Sequence, residues 1–162
     1  MKAGVLTVSD RSSRGEAEDL SGPRAAELLA GWGFNAEVRV VPDGLDEVEA
    51  GIRGFLAEGM RLVVTTGGTG MAPRDQTPEA TRRVIERQAP GLAEAMRAAA
   101  FATNPHGMLS RGVAGLVREA LVVNLPGSVR GVEESLAVIG PALRHACQLA
   151  GGEPSDHRVG PA

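Results

Sequence analysis

The sequence predicts an α/β fold in which a mostly parallel sheet is covered by helices on both faces. Two observations carry this prediction. Short β-rich apolar runs alternate with segments of helical period over residues 1–66, and a β-α-β-α-β series needs crossover connections that bury both faces of a parallel sheet. In addition, glycine- and serine-rich segments recur at the ends of these runs, where an open parallel sheet gathers its ligands.

Residues 3–9 (AGVLTVS) form a compact apolar run and the first strand. Ser21 then offers an N-cap with Pro23 close behind. Ala25, Leu28, Leu29 and Trp32 follow at helical spacing, and Gly31 and Gly33 end the helix. Residues 35–41 (NAEVRVV) alternate like a half-exposed strand. Leu45, Val48, Ile52, Phe55 and Leu56 make the apolar stripe of a second helix. Residues 61–66 (RLVVTT) are a buried third strand that runs straight into Gly67-Gly68-Thr69-Gly70. Thr77-Pro78 reads as N-cap and first turn of a helix reaching Arg87. Pro90 opens another, with Leu92, Met96 and Ala99 on one side.

Residues 108–117 and 120–124 are β-rich runs separated by Arg118-Glu119, so 116–123 is a hairpin or the second run is a further sheet strand. After Leu125-Pro126-Gly127-Ser128 comes a long stripe of Val132, Leu136, Ile139, Leu143, Ala146 and Ala150. Gly140-Pro141 is expected to kink or split that helix. Residues 1–151 are expected to form a single domain, and 152–162 a surface tail of turn composition.

Composition excludes several kinds of chemistry. Lys2 is the one lysine among 17 basic residues, so no phosphate loop of the GxxxxGK[ST] type can be built. One cysteine rules out an intramolecular disulfide, and with three scattered histidines it argues against a zinc site. A net charge of -3, a pI of about 5.6 and 2% aromatic residues argue against a nucleic-acid partner. No apolar run approaches the ~18 residues of a membrane span. Met1-Lys2 leads directly into a strand pattern, and the expectation is a soluble cytoplasmic protein.

Three segments at strand ends suit an anionic ligand. They are Ser9-Asp10-Arg11 with the residues up to Gly15, Thr65-Thr66-Gly67-Gly68-Thr69-Gly70, and Asn124-Leu125-Pro126-Gly127-Ser128. Each supplies close backbone approach, hydroxyls and N–H groups at or near a helix start. Arg11, Arg14 and Arg111 can add charge-assisted bonds. One such turn is ordinary turn chemistry. Three at one sheet edge point to a phosphate-bearing substrate, and the lack of GxGxxG after the first strand disfavours a dinucleotide. Asp43 and Asp75 fall at the same edge, where carboxylates beside phosphates hold Mg²⁺. The structural alternatives stay open. Asp43 can cap the following helix, Asp75 can make an Asx turn, and Asp10 can organise its own loop. His106 in a turn and Cys147 on an apolar helix face read as structural.

The segments Thr7-Val8-Ser9-Asp10-Arg11, TTGGTG at 65–70, RDQTPEAT at 74–81, Leu109-Ser110-Arg111 and Asn124-Leu125-Pro126-Gly127 occur together in one order and spacing. In this the chain resembles the molybdenum-cofactor biosynthesis family of MogA and MoaB, also found as the G domain of gephyrin-type fusions. The resemblance covers residues 3 to about 151. It implies a three-layer α/β/α sandwich that assembles as a homotrimer. The implied activity is a Mg²⁺-dependent molybdopterin adenylyltransferase, joining ATP and molybdopterin with release of pyrophosphate and passing the product to a molybdate-inserting partner. By motif, Asp43 and Asp75 match the family's essential carboxylates. The loop with Thr69, and Thr77 behind it, would cradle the nucleotide. Ser110, Arg111 and the loop Asn124, Pro126, Gly127, Ser128 would face the pterin and its phosphate. The competing readings are a non-catalytic pterin-binding or scaffold relative and a pyrophosphatase-like enzyme on nucleotide conjugates.

Overall fold

The computed structural model describes residues 1–153. Its centre is a six-stranded sheet in the order β2-β1-β3-β6-β5-β4. Strands β1 (Lys2–Val8), β2 (Asn35–Val41), β3 (Leu62–Thr66) and β6 (Ala120–Leu125) are mutually parallel. Strands β5 (Ala114–Val117) and β4 (Arg87–Gln88) extend the sheet antiparallel. The mostly parallel α/β class expected from the sequence is the one found.

Alternation along the strands divides the core in two. Val5, Leu62, Val64, Leu121 and Val123 face α2 (Ser21–Gly31), α5 (Pro90–Thr103) and α6 (Val129–Ala150). Leu6, Val63 and Val122 face α3 (Leu45–Ala57) and α4 (Thr77–Val84). The two clusters are the two helical layers of an α/β/α sandwich, and each strand feeds both because its side chains alternate. Central strands β3 and β6 are buried along their whole length, which is why their sequences carry no polar alternation.

Several local expectations are corrected. The first strand is displaced by one residue and ends at Val8, because Ser9 caps α1 (Asp10–Ser13) by accepting from the Ser12 N–H at 3.2 Å. Ser21 does not cap α2. Leu20 takes the cap position without a side-chain bond, and Asp19 before it serves the first turn, its Oδ1 accepting from the Gly22 N–H (3.0 Å) and the Ser21 hydroxyl (3.2 Å) while its Oδ2 accepts from Thr7 (2.6 Å). Helix α4 stops at Val84 instead of Arg87, since Ile85 turns extended (ψ 140°) and delivers the chain to β4. Thr77 lies inside that helix and Gln76 takes the cap position.

The run 108–117 breaks into a 3-10 turn (Pro105–Leu109) and β5. Both alternatives for 116–123 hold together: β5 and β6 form a hairpin with Val117 opposite Ala120, and β6 is also the partner of β3. The turn places Arg118 at φ 49° without a glycine. Helix α6 runs unbroken from Val129 to Ala150 through exposed Pro141, so the expected split does not occur. Gly140 leaves room for the Trp32 indole, whose Nε1 would lie 2.3 Å from a Cβ at that position. Cys147 is fully buried, as expected of a structural thiol, and burial pushes it up to about 11. Of the expected tail, residues 154–162 lie outside the described residues. Among the described residues no helix is long and apolar enough to cross a membrane.

Candidate functional site

The parallel strands point their carboxyl ends to one edge, and the predicted segments meet there. After β3 the chain turns through Gly67 (φ 102°) and Gly68 (φ 62°). A Cβ at Gly67 would stand 2.3 Å from the Val8 carbonyl oxygen, and one at Gly68 would stand 2.3 Å from Thr77 Oγ1. Only glycine gives both the left-handed backbone and the clearance, so the loop lies directly on the end of β1 and the start of α4. Gly127 closes over the same turn, its Cβ position 3.1 Å from Gly67 Cα. Thr66 donates to the Pro126 carbonyl at 2.8 Å and fixes the two loops together.

Between these loops and α1 lies a cavity of about 350 Å³, lined by Ser9, Ser12, Asp19, Ser21, Thr66 and Ser128 among others. Ser128 caps α6, its Oγ accepting from the Gly131 N–H at 3.0 Å. The N-terminus of this 22-residue helix therefore opens beside the cavity, which favours an anion. A larger hollow, of about 480 Å³, lies at the opposite end of the sheet around Met60, Val84, Val117 and Arg118, and holds none of the predicted residues.

The carboxylates sit on the neighbouring loops. Asp43 Oδ2 accepts from the Asp10 N–H at 2.8 Å, and Asp10 Oδ1 accepts from the Asp43 N–H at 3.1 Å. Arg74 donates from Nε to Asp10 Oδ2 (2.8 Å) and from Nη2 to Asp10 Oδ1 (3.0 Å) and the Asp43 carbonyl (2.5 Å). The Arg74 guanidinium holds the Asp10 carboxyl below the usual carboxylate range. Asp43 does not cap α3, whose N-cap is Gly44 with no side-chain bond. Asp10 does organise its loop, across to β2. Asp75 does not make the expected Asx turn: the Thr77 N–H goes to the Gly68 carbonyl (3.1 Å), and Asp75 Oδ2 instead reaches back to accept from the Ala72 N–H at 3.0 Å.

Asp43 and Asp75 each have one oxygen held by a backbone N–H, and the other makes no hydrogen bond among the described residues. Those same residues contain no group of three or more acidic, histidine or cysteine side chains ready to hold a metal. One free oxygen on each of two carboxylates is a donor set compatible with Mg²⁺, which takes one or two carboxylates and completes its shell with phosphate and water.

Other predicted residues are placed differently from a ligand-facing role. Arg111 spends its guanidinium inside the protein: Nε donates to Gly70 O (2.7 Å), Nη1 to Glu79 Oε1 (2.5 Å) and Nη2 to Asp75 O. With its N–H on Thr69 O at 2.9 Å, it braces the glycine loop from behind. Asn124 is buried, donating to Thr65 Oγ1 (3.0 Å) and Thr81 Oγ1 (2.8 Å) and accepting from the Val113 N–H (3.1 Å). Thr77 is fully buried under Gly68, and its Oγ1 has no hydrogen-bond partner among the described residues. Thr69 is also buried. Ser110 accepts from the Gly112 N–H at 3.4 Å. Arg11 is exposed on α1.

Sequence reasoning missed Asp19 and the role of Arg74. Asp19 was signalled by its place three residues before Gly22, but Ser21-Pro23 offered a competing cap. Arg74 carried no local signal, because its partners are 31 and 64 positions away.

Residues 4–145 match a family model described as "Probable molybdopterin binding domain". The molybdopterin adenylyltransferase of Helicobacter pylori (strain J99) is 40% identical over 150 residues, covering 90% of this chain and 85% of the relative. Gephyrin of Dictyostelium discoideum is 38% identical, and the chain spans 23% of its length. Cinnamon, a molybdenum cofactor synthesis protein of Drosophila melanogaster, is likewise 38% identical and is spanned over 26% of its length. The solved structure of the molybdopterin biosynthesis enzyme MoaB from Thermus thermophilus superposes with a TM-score of 0.88 at 44% identity, covering 96% of this chain and 99% of the other. A MogA structure gives 0.88 at 37%, covering 93% and 99%. The chain belongs to the molybdopterin-binding-domain family of MogA and MoaB.

Proposed function

We propose that the chain is a molybdopterin adenylyltransferase, a nucleotidyltransferase of molybdenum cofactor biosynthesis. It would convert ATP and molybdopterin to adenylyl-molybdopterin and pyrophosphate. The observation that carries the reading is the gathering, at one sheet edge, of three anion-accepting loops with the carboxylates of Asp43 and Asp75. Relatives named for this activity, at 37–40% identity, support it.

The terminal phosphate of molybdopterin would attack the α-phosphorus of ATP, with pyrophosphate leaving. A phosphate monoester is already a nucleophile near neutral pH, so the protein needs no Ser-His pair, thiolate or lysine. Its task is to hold two polyanions in line. Backbone N–H groups of Gly68 and Gly70 would receive the nucleotide phosphates. The α6 N-terminus at Gly127-Ser128, with Ser9, would receive the pterin phosphate. Arg111 and Asn124 would keep the loops rigid from behind. Asp43 and Asp75 would hold Mg²⁺, which when bound supplies the positive charge that offsets the phosphates and the acidic loops. The proposal extends to a cytoplasmic homotrimer that hands its product to a molybdate-inserting protein.

The Asp75→Asn variant tests the reading. It should abolish pyrophosphate release while molybdopterin binding stays measurable by equilibrium dialysis. Full turnover in that variant would contradict the assignment.

A further inference from the structure

Three loops that follow three different strands meet at Arg74. It belongs to the loop after β3. The acceptors are Asp10, after β1, and Asp43, after β2. The Asp10 and Asp43 loops are already stapled to each other, each side chain accepting from the other's N–H at 2.8 and 3.1 Å. That reciprocal pair ties the two loops by one side chain-to-backbone bond in each direction. Arg74 adds a planar fork that takes both oxygens of Asp10 at 2.8 and 3.0 Å. Its Nη2 also reaches the Asp43 carbonyl at 2.5 Å, so one guanidinium spans both loops.

A lysine can meet one of these acceptors but not the bidentate set, which is the geometric reason for arginine here. Arg74 is itself 64% exposed and supports no core packing. Its bonds therefore organise the mouth of the site and leave the folded layers to the buried clusters. Asp75, the other candidate Mg²⁺ carboxylate, is the next residue in the chain, so the same anchor fixes where its loop begins.

We infer that Arg74 is a positioning residue that locks the loops after β1, β2 and β3 into one unit and thereby sets the Asp43 and Asp75 carboxylates relative to each other. The inference rests on the reading of those carboxylates as the Mg²⁺ holders, and one arm of its test does not depend on activity. Amide hydrogen exchange at Asp10 and Asp43 is compared between the wild-type chain and Arg74→Ala. Exchange should quicken roughly tenfold or more, the loss expected for a charged hydrogen bond. Unchanged exchange overturns the inference, whatever the chain catalyses.

In the second arm, adenylyl transfer is measured against Mg²⁺ concentration. Arg74→Ala should raise the half-saturating Mg²⁺ and lower kcat roughly 100-fold, the scale of a misplacement near 1 Å. KM for molybdopterin should be unmoved, and Arg74→Lys should recover part of the loss. The double variant with Asp10→Ala should be no slower than the worse single variant, because both break the same lock. If Arg74→Ala is slow while Asp10→Ala is normal, Arg74 meets the substrate directly and the positioning role is wrong. A wild-type chain that forms no product removes the adenylyltransferase reading and leaves the exchange result to decide the lock.

Discussion

Arg111 and Arg74 show how two arginines of one site divide their work by burial. The Arg111 side chain is 31% exposed and all its bonds go to Gly70, Asp75 and Glu79, so it is an internal brace of the glycine loop. Replacing it with alanine strands the Gly70 and Asp75 carbonyls and leaves Glu79 with Arg82 alone, at 3.5 Å. Arg111→Ala should lower unfolding stability by about 2–3 kcal/mol, seen as a lower urea midpoint at unchanged slope. An unchanged midpoint would mean the brace carries no load. From sequence, Arg111 looked like a phosphate ligand, because an arginine beside Ser110 near a substrate loop has the right chemistry for either role. What decides between them is the direction of the guanidinium, and that depends on contacts 32 to 41 positions away. Asn124 was ambiguous for the same reason. Its place at the end of a strand was legible, while its burial against Thr65 and Thr81 was not.

At the scale of elements, α6 and the α3–β2 contact give two further tests. Helix α6 passes through Pro141 without breaking, so the missing N–H and the ring are tolerated on its exposed face. Pro141→Ala should stabilise the chain by about 1–2 kcal/mol, a helix gain reduced by the looser unfolded state, and a thermal melt reads it. Arg39 in β2 grips Glu58 at the end of α3 with bonds of 2.8 and 2.5 Å, and the guanidinium holds the Glu58 carboxyl below its ordinary range. The folded state therefore favours the charged form. Its stabilisation is present at neutral pH and is lost as pH falls through and below the carboxylate range, under about pH 4. Glu58→Gln should flatten that part of the acid-unfolding profile and leave the neutral-to-alkaline limb unchanged. The helices and the parallel strands were legible because their apolar periodicity is long and clean. The two-residue β4 was not, since Arg87 and Gln88 are exposed and only pairing with Leu116 and Gly115 makes them a strand. The end of α4 shifted for the same cause.

Across the whole molecule, two apolar clusters flank the sheet, and the three anion-suited segments meet at the carboxyl edge of its parallel strands. That convergence was readable from strand order alone, because parallel strands place their following loops together. The hub linking those loops through Arg74, Asp10 and Asp43 was not readable, since side-chain bonds between distant loops leave no local pattern. Near-absence of lysine and the burial of the one cysteine fit a reaction whose nucleophile arrives on the substrate. The most direct test of this account is to incubate the purified chain with ATP, Mg²⁺ and molybdopterin and to quantify both products by mass spectrometry. The account predicts adenylyl-molybdopterin and pyrophosphate in equal amounts, dependent on Mg²⁺. Molybdopterin that binds but leaves ATP intact, or pyrophosphate released without an adenylylated pterin, would contradict it.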